Sequence, residues 1–213
     1  MIGKMLFAVL LLAGGVKAAL YLLTGAASER PDACATIAKT GATLNLVLAG
    51  LVAGAPAWVI WGLAFGALGD FCLTRPGERA FLAGMGAFAL GHLLYTAWML
   101  TPENAARALW ALPVAALALS AEIWLLPRTG ALIWPVRAYV WIITAMAAAA
   151  ATLPVAHLWA VIGAGLFLAS DLALALRLFV VSDPARQRLL SRALWPAYWA
   201  GQALILLGSL GPS

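Results

Sequence analysis

Two aspartates in apolar surroundings are the residues of this sequence best suited to chemistry. Asp70 lies in the segment GALGDFCL and Asp171 in FLASDLAL, each directly after a small residue and 101 positions apart. Ionisable groups in such segments are costly to bury, so they usually mark a site or a structural polar pair. Two carboxyl groups in one apolar pocket can divide acid and base roles, because burial and mutual repulsion keep one protonated while the other is ionised.

The composition indicates that these aspartates lie within a membrane. Of the 213 residues, 65% are hydrophobic and 10% are charged, whereas a soluble domain carries charge on about a quarter of its residues. Soluble and disordered chains are therefore excluded. The 13 Lys and Arg are scattered, which excludes the clustered basic face of a nucleic-acid-binding protein. Cys34 and Cys72 lack metal or haem spacing, and both are predicted to be buried thiols.

Apolar runs divided by Pro, Gly and charge predict an all-α, polytopic bundle of eight transmembrane helices in a single domain, 1–213. The predicted spans are 4–23, 36–54, 57–74, 80–100, 106–125, 131–151, 155–178 and 190–210. The first span could instead be a signal peptide, since Gly25-Ala26-Ala27-Ser28 resembles a cleavage site. The aspartates fall in spans three and seven, so two fused four-helix halves would place them in equivalent positions.

Basic residues predict the orientation, because cytoplasmic loops carry the excess of Lys and Arg. Nine arginines occupy the odd-numbered connections and adjoining helix ends: Arg30, Arg75, Arg79, Arg128, Arg137, Arg177, Arg186, Arg188 and Arg192. The opposite face has Lys4 and Arg107. Both termini are therefore predicted to be non-cytoplasmic. At about 1.5 Å per residue, Asp70 lies roughly 7–8 Å from Arg75, so a site there opens toward the cytoplasmic leaflet.

Further polar residues share the depth of the aspartates. Lys39 and Tyr139 enter from the same side, and Tyr198 lies about 9 Å beyond Arg192 along its helix. Gln202 is one turn deeper than Tyr198 on the same face. These side chains are predicted to complete a polar pocket.

Span four carries a stripe of residues at intervals of three and four. Phe81, Gly84, Phe88, His92 and Tyr95 therefore face one side of the helix. The stripe is either a packing face, with Gly84 allowing close approach of a neighbouring helix, or a wall of the pocket.

Together these motifs resemble the YhhN-like membrane proteins, the lysoplasmalogenase family. The resemblance runs from Lys39 to Gln202 and rests on Gly69-Asp70, the Phe81 to Tyr95 stripe, Ser170-Asp171 and Trp195-Pro196-Ala197-Tyr198 with Gln202. It implies an eight-span hydrolase of the vinyl ether bond of lysoplasmalogen that uses no metal or organic cofactor. The family's two aspartates map onto Asp70 and Asp171. Thr40 departs from the proline expected after Lys39.

The chemistry of a vinyl ether suits these residues. Its cleavage needs a proton donor, a group that activates water and negative charge beside an oxocarbenium ion. Asp70 and Asp171 are predicted to be this catalytic pair, with their individual roles left open. The substrate is predicted to be a lysophospholipid with ethanolamine or choline, water being the second substrate.

The remaining candidates are predicted to bind the substrate. Tyr139, Tyr198, His92 and Gln202 would orient water and the ether oxygen, and Tyr95 would line the pocket wall. Lys39, Arg75 or Arg79 would hold the phosphate.

Two other functions fit paired intramembrane carboxyl groups. A proton-coupled transporter of small molecules uses similar residues. In a purely structural bundle, Lys39 or Lys17 would pair with an aspartate and nothing would bind.

Overall fold

The described part of the chain contains eight α-helices, α1 to α8 in chain order. The computed structural model describes residues 2–26, 32–100 and 102–211, with the backbone alone for 102–106. The helices are Ile2–Thr24, Ala33–Ala53, Ala57–Leu73, Glu78–Met99, Leu112–Trp124, Ile133–Ala151, Leu158–Phe179 and Pro184–Ser209. Short 3-10 segments join some of them, and no strand occurs in the described ranges. The predicted all-α fold with eight helices is therefore confirmed.

Most of these helices have the length and composition of membrane spans. Among the described residues, six segments qualify: Ile2–Thr24, Ala33–Ala53, Glu78–Met99, Arg107–Arg128, Gly130–Ala151 and Val155–Phe179. α3 is equally apolar but has 17 residues. Large apolar side chains such as Leu12, Trp61 and Leu119 point outward, as expected where lipid replaces water as the solvent. The protein is an integral membrane protein.

Local signals set several helix ends. The carboxylate of Asp32 accepts a hydrogen bond from the Ala35 amide at 2.7 Å and begins α2. Asp183 accepts one from the Ala185 amide at 3.0 Å and begins α8 at Pro184. Both follow the preference for Asp at the N-cap, and proline is well suited to the first helical position.

Glycine contacts bring two helix pairs together at equivalent places. A Cβ on Gly91 would lie 3.0 Å from the Gly62 carbonyl oxygen, where α3 meets α4. A Cβ on Gly163 would lie 2.6 Å from the Gly201 carbonyl oxygen, where α7 meets α8. Gly62 and Gly163 each precede the aspartate of their helix by eight residues. Such small residues allow backbones to touch in membrane bundles.

The contacts between the two halves also correspond. α2 packs against α8, and α6 packs against α4. If α1–α4 are matched in order with α5–α8, α2 corresponds to α6 and α4 corresponds to α8. The contact of α2 with α8 then corresponds to the contact of α6 with α4. The arrangement favours the predicted construction from two four-helix halves, with α3 and α7 in equivalent positions.

Some sequence-based predictions differ from the structure or fall outside it. Cys34 is exposed on the first turn of α2 and Cys72 is half-buried, so the prediction of two buried thiols is wrong. An apolar sequence context does not separate the core face of a membrane helix from its lipid face. Arg30, together with Ala27 and Ser28 of the possible cleavage site, lies outside the described residues.

The contact between α7 and α8 gives a stability prediction. Gly163→Ala should lower the free energy of unfolding by about 1–3 kcal/mol, because the new methyl group meets the backbone of Gly201 and Ile205. Gly165→Ala on the same helix has open space at its Cβ and should be neutral or stabilising. Unfolding in mixed detergent micelles, followed by circular dichroism, compares the two variants. Equal stability would contradict the proposed close contact.

Candidate active site

A cavity of about 140 Å³ lies among helices α2 to α8 and contains both aspartates. Its polar lining consists of Lys39, Asp70, Tyr139, Thr144, Ser170, Asp171 and Tyr198. Its other walls are apolar and come largely from α5, α6 and α7, including Leu117, Ala118 and Ala121. The cavity therefore combines a small polar end with an apolar surface.

Asp70 is almost completely enclosed, with 1% of its side chain exposed. Its Oδ2 atom accepts a hydrogen bond from the Thr43 hydroxyl at 2.6 Å and another from the Tyr198 phenol at 2.9 Å. Thr43 belongs to α2 and Tyr198 to α8. Three helices are thus joined at one carboxyl oxygen.

Lys39 is the cation beside this carboxyl group. Its Nζ atom lies 3.5 Å from Asp70 Oδ1. The same atom lies 5.7 Å from the centre of the Tyr21 ring and 5.9 Å from that of Trp195. Aromatic faces stabilise a desolvated ammonium group. Lys39 is therefore held by Asp70 and two rings at the edge of the cavity.

A second layer of hydrogen bonds orients Tyr198. Gln202 donates from Nε2 to the Tyr198 oxygen at 3.2 Å, and its Oε1 accepts from the Tyr95 hydroxyl. Because the Tyr198 oxygen already accepts from Gln202, its own proton is directed to Asp70. A side chain at position 66 would collide with Gln202 Nε2, so Gly66 leaves the space that this network occupies.

Asp171 has a different environment from Asp70. Its Oδ2 atom accepts a hydrogen bond from the Tyr139 phenol at 2.6 Å. The side chain is partly exposed where it borders the cavity. Within the described ranges, no Lys or Arg forms an ion pair with it.

His92 lies behind Tyr139 and is fully buried. Its ring packs edge-to-face against Phe167 and Tyr139, with centroids 4.6 and 5.5 Å apart. Neither ring nitrogen has a hydrogen-bond partner among the described residues. His92 therefore contributes packing behind the cavity wall.

All but one of the predicted site residues fall into two groups, and Arg75 is the exception. Lys39, Asp70, Tyr139, Asp171 and Tyr198 line the cavity. Tyr95, His92 and Gln202 lie one layer behind it, while Phe81 and Phe88 of the same α4 stripe reach the cavity itself.

Arg75 lies outside this group. Its guanidinium stacks on the ring of Phe71 at 4.7 Å at the exposed end of α3. It does not line the cavity, and its role in holding the phosphate stays a prediction.

Sequence reasoning missed two contributors to the site. Thr43 donates to Asp70, and its position four residues after Lys39 already places both on one face of a helix. The apolar wall of α5 carries no comparable signal, because its residues resemble those of any membrane helix. Polar groups that recur at helical spacing near a candidate residue are thus useful indicators.

α5 is joined to α6 by a separate ion pair at the same end of the bundle. Arg137 NH2 lies 3.0 Å from Glu122 Oε2, and the Trp141 indole donates to Glu122 at 3.3 Å. Glu122 and Arg137 are each about one-third exposed. This pair links α6 to α5, whose inner face lines the cavity.

The ion pair beneath the cavity gives a second stability prediction. Lys39→Met and Asp70→Asn should each destabilise the protein, by on the order of 3 kcal/mol, because each leaves the partner buried without its counter-charge, so that the partner must stay unpaired or become neutral. The loss of unfolding free energy in the double variant should be smaller than the sum of the losses in the two single variants. The free energy of unfolding in detergent micelles is measured for the wild type, the two single variants and the double variant.

The exposed pair of Arg186 and Asp183, 3.7 Å apart, supplies the control. A double-mutant cycle on that pair should give a coupling free energy of about 0–1 kcal/mol. A coupling between Lys39 and Asp70 as small as this would contradict a buried ion pair.

Comparison with known proteins agrees with the motif resemblance. The YhhN family model matches residues 34–209. Proteins named lysoplasmalogenase from Mycobacterium bovis and Mycobacterium tuberculosis are each 31% identical over 159 residues, 71% of this chain and 59% of theirs. The match thus spans less than two thirds of the length of these mycobacterial relatives.

A mammalian relative is matched over more of its length. Lysoplasmalogenase TMEM86B of Rattus norvegicus is 32% identical over 200 residues, 92% of this chain and 81% of that protein. No solved structure gives a significant match. The family model covers most of the chain, from the start of α2 to the end of α8, and the chain belongs to the YhhN family.

Proposed function

We propose that this protein is a membrane-embedded lysoplasmalogenase. It would hydrolyse the vinyl ether bond of lysoplasmenylethanolamine or lysoplasmenylcholine to a fatty aldehyde and the glycerophospho-alcohol. The observation that carries the proposal is the pair Asp70 and Asp171 in one largely apolar cavity. The names of the mycobacterial and rat relatives support the same reaction.

The carboxyl groups supply the proton transfers that this reaction needs. Protonation of the alkenyl carbon β to the ether oxygen gives an oxocarbenium ion, which water captures as a hemiacetal. Loss of the hemiacetal hydroxyl proton and protonation of the glycerol oxygen break the bond between the hemiacetal carbon and that oxygen, which releases aldehyde and alcohol. General acid and base groups typically accelerate such steps 10²–10⁴-fold, and a fixed negative charge stabilises the cation.

The shape of the cavity suits a single-chain lipid. A vinyl ether at the polar end would meet both carboxyl groups, while the alkenyl chain would run along the apolar surfaces of α5, α6 and α7. Lys39, beside Asp70, lines the cavity and would attract the phosphate. Tyr139 and Tyr198 would orient water and the ether oxygen.

The basic helix ends support an orientation for this site. The arginines near Asp70 and Asp171 along their helices favour an orientation in which the polar end of the cavity faces the cytoplasmic leaflet. With eight crossings, both termini would then be non-cytoplasmic. The lipid would enter from that leaflet with its headgroup at the membrane surface.

Proton-coupled transport is the alternative, and the geometry favours it less. Asp70 and Asp171 lie within the continuous helices Ala57–Leu73 and Leu158–Phe179. Carrier sites are typically built on interrupted helices near the bilayer midplane. Proton flux driven by a solute, without aldehyde release, would support this alternative.

The reaction is tested with purified protein, lysoplasmalogen and the saturated alkyl-ether analogue. The wild type should release aldehyde from the vinyl ether alone, because the alkyl ether has no double bond to protonate. Asp70→Asn and Asp171→Asn should each lower kcat about 10²–10⁴-fold. The released aldehyde is measured by its oxidation in a coupled aldehyde dehydrogenase assay.

Asp183→Asn is the matched control, since Asp183 caps α8 away from the cavity and asparagine is an equally good cap. It should keep the parent rate. Correctly folded Asp70→Asn and Asp171→Asn variants with parent-like rates would overturn the proposed function.

The position of the lipid chain is tested by filling the apolar wall. Ala118 is 3% exposed and lines the cavity, whereas Leu119 beside it is 57% exposed on the outer surface of α5. Ala118→Trp should reduce hydrolysis of a long-chain lysoplasmalogen at least tenfold and affect a short-chain vinyl ether less. Leu119→Trp should leave both rates unchanged. Equal effects of the two variants would exclude this location for the chain.

A further inference from the structure

The two aspartates occupy equivalent positions in unequal surroundings. Thr43 precedes Asp70 by 27 residues, and Thr144 precedes Asp171 by the same number. Lys39 precedes Asp70 by 31 residues, and the corresponding residue before Asp171 is Val140. The helices match, but the second half has an apolar side chain where the first has a cation.

The contacts follow this difference in sequence. Thr43 donates to Asp70, whereas the Thr144 hydroxyl donates to the Val140 carbonyl oxygen of its own helix at 2.6 Å. Asp70 therefore has two hydroxyl donors on Oδ2 and an ammonium group beside Oδ1. Asp171 has the Tyr139 phenol at 2.6 Å, and no ion pair to it occurs within the described ranges.

These environments favour different charge states. An adjacent cation and two donated hydrogen bonds stabilise a carboxylate, and Asp70 has all three. A carboxyl group in an apolar site without a cation is more stable when neutral, since an isolated buried charge is costly. Asp171 meets this second condition and also borders the cavity directly.

We infer that the two aspartates have different roles: Asp171 is the carboxylic acid that protonates the alkenyl carbon, and Asp70 is a carboxylate in the resting site and accepts the proton that water loses. This division rests on the proposed function. In the first step the π electrons of the double bond take the Asp171 proton, a C–H bond forms and the ether becomes an oxocarbenium ion. Asp171 is left as a carboxylate.

The second step uses Asp70. Its Oδ1 atom has no hydrogen-bond partner among the described residues. When the oxygen of water bonds to the oxocarbenium carbon, Asp70 Oδ1 accepts the proton that water loses. The hemiacetal then returns its hydroxyl proton to Asp171, while Asp70 passes its proton to the departing glycerol oxygen. One water is consumed, and both aspartates regain their starting states.

Thr43, Tyr198 and Gln202 are positioning residues in this scheme. Thr43 and Tyr198 donate to the same oxygen of Asp70, and Gln202 directs the Tyr198 proton toward it. They keep Asp70 charged and leave Oδ1 for the proton transfer. All three residues act on the Asp70 carboxylate, and none of them changes the charge state of Asp171.

Infrared spectroscopy of the resting protein tests the assignment without substrate. A protonated carboxyl group has a C=O stretching band that shifts in D₂O, whereas a carboxylate lacks it. The wild type should show one such band from the cavity. Asp171→Asn should remove the band, and Asp70→Asn and the control Asp183→Asn should keep it. A band that disappears in Asp70→Asn and persists in Asp171→Asn, or a wild type without a band, would overturn the assignment.

A pair of tyrosine variants repeats the test with smaller structural changes. Tyr139→Phe removes the hydrogen bond to Asp171 and should shift the band to higher frequency. Tyr198→Phe removes a hydrogen bond to Asp70 and should leave the band in place, because Thr43 and Lys39 still stabilise the carboxylate. A shift in Tyr198→Phe alone would assign the proton to Asp70 and overturn the division of roles.

Lys39→Met completes the test from the opposite direction. Without its cation, Asp70 should take up a proton and a second band should appear. The absence of a second band in a folded Lys39→Met protein would show that Lys39 does not keep Asp70 charged, against the inference. Aldehyde release from lysoplasmalogen is measured separately, so a failure of the proposed reaction is distinguished from a failure of the assigned charge states.

Discussion

The buried contact between Asp70 and its partners is the constraint on which the rest of the site depends. Burying a carboxyl group with 1% exposure inside an apolar bundle costs free energy, which nearby polar and charged groups must offset. Compensation comes from Thr43 and Lys39 on α2 and from Tyr198 on α8. These helices must therefore meet α3 at one depth, and the cavity forms where they do.

Small residues make this convergence possible. Gly66 leaves the space in which Gln202 reaches Tyr198, and glycines bring α7 and α8 together to backbone distance. In a membrane the hydrophobic effect does not hold helices together, so close packing and interhelical hydrogen bonds must do so. The polar groups of the site and the glycines around it therefore stabilise the fold and arrange the chemistry through the same contacts.

The bundle is packed unevenly around the cavity. The pairs α1–α2, α3–α4 and α7–α8 are extensively packed, whereas α5 contacts chiefly α6 and the 3-10 segments on either side of it. The ion pair between Glu122 and Arg137 links α5 to α6 at one end, and the apolar inner face of α5 borders the cavity. A lightly packed wall beside a hydrogen-bonded polar cluster is compatible with the proposed entry of a lipid chain from the membrane.

The sequence by itself determined the class of protein and most of the polar residues of the site. Apolar runs predict helices well in this composition, because a bilayer requires every backbone group to be satisfied within the segment. The similar contexts of Asp70 and Asp171, together with helical rise, predict their common depth. Lys39, Tyr139 and Tyr198 follow from the same argument, and all five line one cavity.

The tertiary structure decided which of these groups touch. It brings Thr43 to Asp70, places Tyr95, His92 and Gln202 behind the cavity, and leaves Arg75 stacked on Phe71 outside it. It also pairs Lys39 with Asp70, whereas Asp171 accepts a hydrogen bond from Tyr139. Depth along a helix follows from residue number, but the rotation and neighbours of each helix depend on packing contacts between segments far apart in sequence. Those contacts make two similar aspartates unequal.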